Sequence, residues 1–225
     1  MKKIIVANWK SHKTIKDASS WLKNLKTLLE ESTHQIILAP DFISLPVVAG
    51  FVRDTSLALA SQDISAYPAG SYTGEVSGKS LKDLVSFALI GHSERRRFFA
   101  ENTPVIIKKV NQALKAEITP IVCFENTLQA QEYVYLKGSL KKLLVAYEPP
   151  EFIGTGQPQP LGDAQKDLDS FQEIFGKTKE FLYGGSVDSH NITPYLKIGY
   201  RGALVGSASL NPLEFAKIIK CVTLI

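Results

Sequence analysis

The 225 residues carry a formal charge of +4, with 44% hydrophobic and 21% charged side chains, a balance that excludes a disordered chain and, with no long apolar run, a membrane span. The basic surplus is scattered, and its densest run, Arg95-Arg96-Arg97, has no interleaved aromatics, so no nucleic-acid partner is expected. Two distant cysteines, Cys123 and Cys221, offer neither a disulfide framework nor metal-ligand spacing, and MKKIIVANWK turns polar too soon for a signal peptide, so a reducing, cytoplasmic setting is expected.

In chain order, KIIVANW is the first strand-like run. Alternate residues of a strand share a face, so Val6, Asn8 and Lys10 point one way and Ile5, Ala7 and Trp9 the other. TIKDASSWLKNLKTLLEE then places Ile15, Ala18, Trp21, Leu22, Leu25 and Leu28-Leu29 at helical spacing. The strand-like runs QIILAP and LALASQD precede a shorter helical pattern, SLKDLVSF. FALIGHS is the fourth strand, ending at His92 and Ser93, and Glu94 opens a helix. TPVIIKKVNQALKAE has Thr103 as expected N-cap and Pro104 at the first helical position. PIVCF and LLVAYE leave room between them for only a short helix. EFLYGG and GALVGS complete the strands, and NPLEFAKIIKCV repeats the N-cap device with Asn211 and Pro212.

Strands alternating with helices predict an α/β fold with a parallel sheet. An open doubly wound sheet and a closed (β/α)8 barrel both fit the alternation. A count of eight strands, at about 28 residues per unit, favours the closed barrel. No linker or low-complexity tract divides the chain, so residues 1–225 are expected to form one domain.

Unusual polar residues gather at the carboxyl ends of these strands: Asn8 and Lys10, Gln62 and Asp63, His92 and Ser93, Glu148, Gly184-Gly185-Ser186, and Gly206-Ser207. That end carries the ligand site in both layouts. Lys10 reads either as a solvated strand end or as an anion-holding lysine. His92 reads either as a helix cap or as a neutral hydrogen-bond donor whose pKa is lowered by the helix N-terminus. Glu148 follows five apolar residues; it is either an ion-paired strand end or a buried general acid-base with a raised pKa. The glycine-serine turns suit phosphate, weakly when taken singly and more strongly as a pair closing the last two strands. Pro149, then Gly154 and Gly156, bracket Phe152-Ile153 as a stiff root and a flexible far end, the pattern of a lid.

NWK at Asn8–Lys10, GHSERR at Gly91–Arg96, YEP…IGTG across Tyr147–Gly156, YGGSV at Tyr183–Val187 and LVGSASL at Leu204–Leu210 together resemble the triosephosphate isomerase family, in the family's order from first strand to last. The resemblance implies a single (β/α)8, or TIM, barrel. It also implies interconversion of dihydroxyacetone phosphate and D-glyceraldehyde 3-phosphate through an enediol(ate), with no cofactor and no metal. Glu148 would be the base, neutral His92 the electrophile and Lys10 the positive charge beside the enediolate, with Asn8 completing the set. Gly154, Ser186, Gly206 and Ser207 would present backbone N–H groups to the phosphate. Glu94 would position Lys10, and Ile153 and Leu204 would press on Glu148. Another phosphate-binding barrel enzyme and a non-catalytic phosphate-binding barrel are the competing readings.

Several positions depart from the family pattern. Pro150-Glu151 stands where a Val-Trp pair is usual, a lid form similar to compact archaeal-type members, whereas GHSERR resembles bacterial ones. Ser207 replaces a glycine, Asn126 stands near a common glutamate, and Ser11 replaces a common methionine. The Ser65–Val76 loop resembles the segment that docks beside a neighbouring subunit's site, with Thr73 reaching toward that subunit's Asn8 region, which implies a homodimer or homotetramer.

Overall fold

The computed structural model describes residues 2–28 and 33–224. The strands are β1 (Ile4–Asn8), β2 (Gln35–Ala39), β3 (Ala58–Ser61), β4 (Phe87–Ile90), β5 (Thr119–Phe124), β6 (Leu144–Tyr147), β7 (Phe181–Tyr183) and β8 (Gly202–Val205). All neighbours are parallel, and β8 pairs with β1, so the sheet closes in chain order. The fold is a (β/α)8 barrel, as the strand count predicts.

Closure divides the strand residues between two apolar layers. Ile4, Val6, Ile37, Ala60, Leu89, Ile121, Cys123, Leu144, Ala146, Leu182 and Leu204 fill the barrel interior. The alternate residues, among them Ile5, Ala7, Val122, Val145 and Tyr147, face outward into a second layer against the helices. There Phe124, Phe171, Phe175 and Phe181 form a ring cluster with centroids 5.4–6.5 Å apart. Gly202 marks where β8 meets β1: a Cβ there would lie 1.7 Å from the Ile4 carbonyl oxygen.

The helices are α1 (Ile15–Leu28), α2 (Leu45–Val52), α3 (Gly78–Leu81), α4 (Ser93–Phe99), α5 (Thr103–Lys115), α6 (Thr127–Tyr135), α7 (Leu161–Phe175), α8 (Ile192–Lys197) and α9 (Pro212–Thr223). α1 buries Ala18, Trp21, Leu22 and Leu25, but Ile15 and Leu28 at its ends are exposed, and Leu29 to Glu31 lie outside the described residues. α3 is a single turn that starts at Gly78, so of the expected SLKDLVSF helix only Ser80 and Leu81 are α-helical, and Phe87 already opens β4. The N-cap of α5 is Asn102, one residue before the expected Thr103, and its side chain accepts from Val105 N. Asn211 caps α9 as expected, accepting from Leu213 N and Glu214 N. α6 is short, nine residues, as the cramped interval requires. The periodicity reading does not mark α2, α7 or α8. No helix among the described residues is long and apolar enough to cross a membrane.

Candidate active site

A cavity of about 360 Å³ opens at the carboxyl ends of the strands. Asn8, Lys10, His92, Glu148, Ile153, Gly154, Ser186, Leu204, Gly206 and Ser207 all line it. Residues chosen from five separate segments of the chain therefore meet in one place. Glu94 does not line the cavity but bonds Lys10 at its edge.

β1 delivers Asn8 and Lys10. The Asn8 side chain accepts the Lys10 backbone N–H at 3.1 Å, while Gln62 Nε2 donates to the carbonyls of Lys10 and Ala39, each at 2.8 Å. These bonds hold Lys10 at φ 50°, a left-handed conformation that costs a side-chain-bearing residue about 1–2 kcal/mol. Such outliers persist where surrounding contacts impose them. The lysine Nζ meets Glu94 Oε1 at 2.5 Å.

His92 follows β4 and caps α4. Its Nδ1 accepts the Glu94 N–H at 3.2 Å, so Nε2 carries the imidazole proton. Nε2 lies 2.9 Å from Glu148 Oε1. Glu148 continues the inward face of β6, and its other oxygen accepts Ser93 N–H at 3.1 Å. The buried Cys123 thiol also favours the charged form of this carboxylate. Gly184 makes room for it: a Cβ at Gly184 would lie 3.0 Å from Glu148 Cγ.

These contacts reverse two expectations. Burial pushes the Glu148 pKa up, but His92, Ser93 N–H and Cys123 together outweigh it, and the net displacement is downward. For His92, burial pushes down, but the Glu148 charge and hydrogen bond, with Glu94, bring the net value above the ordinary one. The helix N-terminus is overridden by a carboxylate in direct contact.

At the opposite wall Ser186 stands at φ 53°, and its hydroxyl donates to the Phe152 carbonyl of the lid. The lid contains a 3-10 turn, Pro150–Phe152, followed by Gly154 and Gly156 at φ 72° and 73°. Gly206 leads into a second 3-10 turn, Ser207–Leu210, tied by Ser209 N to the Gly206 carbonyl at 2.8 Å.

Other strand-end residues do different work. Asp63 is not in the cavity; with Lys109, Glu101 and Arg95 it forms a buried network of four charges. Arg96 donates to the carbonyls of Gly91 and Cys123 at 2.9 and 3.0 Å, so part of the basic run braces β4 and β5 rather than forming a surface face. Thr155, Val187, Asp188 and Ala208 also line the cavity and went unmarked in the sequence, where nothing but adjacency to the glycine turns signals them. In the Ser65–Val76 loop, Tyr67 and Tyr72 stack at 4.5 Å and both are exposed.

A carboxylate and an imidazole thus share a hydrogen-bonded contact inside the mouth of a (β/α)8 barrel, with a lysine lining the same cavity. A sequence model described as triosephosphate isomerase matches residues 3–222. The chain belongs to the triosephosphate isomerase family and is an isomerase. It is 39% identical to the triosephosphate isomerase of Mesomycoplasma hyorhinis, with 97% of this chain and 98% of the relative covered. It is 36% identical to that of Mesomycoplasma hyopneumoniae strain 7448, with 97% and 99% covered. It is also 36% identical to that of Thermus thermophilus, with 98% and 99% covered.

Proposed function

We propose that the chain interconverts dihydroxyacetone phosphate and D-glyceraldehyde 3-phosphate, with Glu148 moving a proton between adjacent carbons through an enediol(ate). The observation that carries this reading is the 2.9 Å contact of Glu148 with His92 Nε2 in the lidded cavity.

In the resting arrangement the base is parked on the electrophile. A bound substrate carbonyl competes for the His92 Nε2–H, which releases Glu148 to swing toward the carbon. The bonds that hold the Glu148 pKa down are then lost, and burial, its largest single influence, makes it a stronger base. The same departure removes the main influences raising His92, so burial returns it to the neutral form that donates a hydrogen bond. Lys10, held by Glu94, supplies positive charge to the developing oxyanion, and Asn8 completes the polar set. Ile153 and Leu204 line the same cavity, and their apolar side chains press on the carboxylate and exclude water when the site closes.

The phosphate is bound by backbone N–H groups of Gly154, Ser186, Gly206 and Ser207. The reaction needs a base, a hydrogen-bond donor and a closed site, and is assigned no metal or cofactor. One domain spanning 1–225 in the cytoplasm, self-associating as a homodimer or homotetramer through Ser65–Val76, completes the reading. The paired exposed tyrosines of that loop and the closure of the barrel from Ile4 to Val205 support it. The test is a coupled assay with glyceraldehyde 3-phosphate comparing wild type with Glu148→Gln. General base catalysis contributes about 10²–10⁴-fold, so the variant loses at least ~100-fold in kcat. A variant keeping most of its rate would overturn the assignment of the base.

A further inference from the structure

The lid's far root is built unlike the rest of the lid. Residues 154–157 are exposed, but Gln159, three residues beyond Gly156, is buried with 8% exposure. Three of its four polar groups are engaged. Its backbone N–H donates to the Tyr183 hydroxyl at 3.0 Å, its carbonyl accepts from the Tyr195 hydroxyl, and its side-chain Nε2 donates to Asp167 Oδ2 at 2.7 Å. The Tyr183 and Tyr195 rings stack in parallel at 4.1 Å, so both backbone bonds rest on one rigid block.

Asp167, on α7, has a second donor. The Tyr147 hydroxyl meets the same Oδ2 at 2.6 Å and lies 3.5 Å from the Gln159 amide. Tyr147 is the residue before Glu148. Its ring points outward through the barrel wall and packs 5.1 Å from Phe171 of α7, while Glu148 points inward. The outward neighbour of the candidate base is thus hydrogen-bonded, through one carboxylate oxygen, to the residue at which the lid stops being exposed surface. The near root, Pro149, follows Glu148 directly in the chain, so both roots of the lid meet the strand end that carries Glu148.

We propose that Gln159, acting through Asp167 and Tyr147, is a positioning residue that registers the closed lid against Glu148 and so sets how often the enediol(ate) is completed rather than lost. The proposal rests on the isomerase reading above. In the enediolate the oxyanion pair can form a C=O bond, the C=C pair can move to the next carbon pair, and the C–O bond to phosphate can break. Inorganic phosphate leaves with the bonding pair, and the enol of a 2-oxoaldehyde remains and tautomerises without net oxidation. A lid in register prevents this by holding the phosphate group and excluding water.

The test measures phosphate release and isomer formation together on the full-length enzyme, for wild type, Gln159→Met, Asp167→Ala and Asp167→Asn. Methionine keeps the buried volume of Gln159 and removes its amide. The ratio of phosphate to isomer is expected to rise about tenfold in Gln159→Met and in Asp167→Ala, since small misplacements near the chemistry cost up to ~100-fold. Asp167→Asn, whose carbonyl oxygen still accepts the Gln159 amide, is expected to return the ratio close to wild type. A folded Gln159→Met that turns over more slowly with an unchanged ratio overturns the proposal, because loss of packing alone slows both outcomes together. If Gln159→Met does not fold, an unchanged ratio in Asp167→Ala, on the half-buried side of the network, overturns it equally. A wild-type chain without isomerisation would remove the underlying reading instead, a result distinct from either.

Discussion

Gly184→Ala places a methyl group against the catalytic strand. The added Cβ would stand 3.0 Å from Glu148 Cγ and 3.0 Å from the Tyr147 carbonyl oxygen. The carbonyl cannot retreat, because it accepts the Gly184 N–H at 2.8 Å across the β6–β7 pairing. Glu148 is therefore the group that moves, and its two oxygens must leave His92 Nε2 and Ser93 N–H. Overpacking of this kind costs about 1–3 kcal/mol. For a chain of this size each kcal/mol lowers Tm by roughly 2–4 °C, so a loss of several degrees is expected. A displaced base costs more in rate than in stability, with kcat falling about 10–100-fold while substrate affinity changes little. Thermal melts and steady-state kinetics on the same preparation separate the two. A variant with wild-type kcat would refute the inference that Gly184 shapes the seat of Glu148.

Other perturbations probe parts of the frame away from the base. Ala100 closes α4 at φ 53°, so Ala100→Gly relieves left-handed strain of about 1–2 kcal/mol against a glycine entropy cost of roughly 0.5–1, and denaturant melts should show a modest net gain. Lys109→Met removes the buried cation shared by Asp63 and Glu101 and leaves them the more exposed Arg95 alone, a loss of up to about 3–5 kcal/mol. Because burial raises the Asp63 pKa, protonation is favoured in the folded state, and this loss should shrink as pH falls; melts across pH read it. The Glu148–His92 pair has its own pH window. The depressed Glu148 value contributes stability above its unfolded pKa, about 4.3, and loses it as pH falls through the folded value. The raised His92 value contributes below its unfolded pKa, about 6.5, and loses it as pH rises through the folded value. The Tm difference between wild type and Glu148→Gln should therefore be largest between these two pH values and narrower on either side.

The barrel was legible because its strands are short apolar runs, buried on both faces, and eight such runs recur between helical intervals. The site was legible because its residues sit where apolar runs end: Lys10, His92 and Glu148 each break a pattern. Three helices escaped notice for physical reasons. The apolar stretch LPVVAGFV of α2 has no polar face to show a helical period, and α8 is only six residues long. α7 has an amphipathic pattern but begins at Pro160-Leu161 with no side-chain cap to mark it. The pKa directions were illegible because they depend on one oxygen-to-nitrogen contact between residues 56 positions apart, which no local pattern encodes. Asp63 shows the converse error. Its place at a strand end suggested the cavity, and only the positions of Lys109, Glu101 and Arg95 draw it away.

The central claim is that one carboxylate carries a proton between neighbouring carbons. It is tested most directly by turning over dihydroxyacetone phosphate in D₂O and reading the product by NMR. Wild type should place solvent deuterium on the carbon beside the carbonyl, and Glu148→Gln should lose isomerisation and labelling together. Isomerisation at the wild-type rate, or labelling that persists, in Glu148→Gln would contradict a proton carried by Glu148.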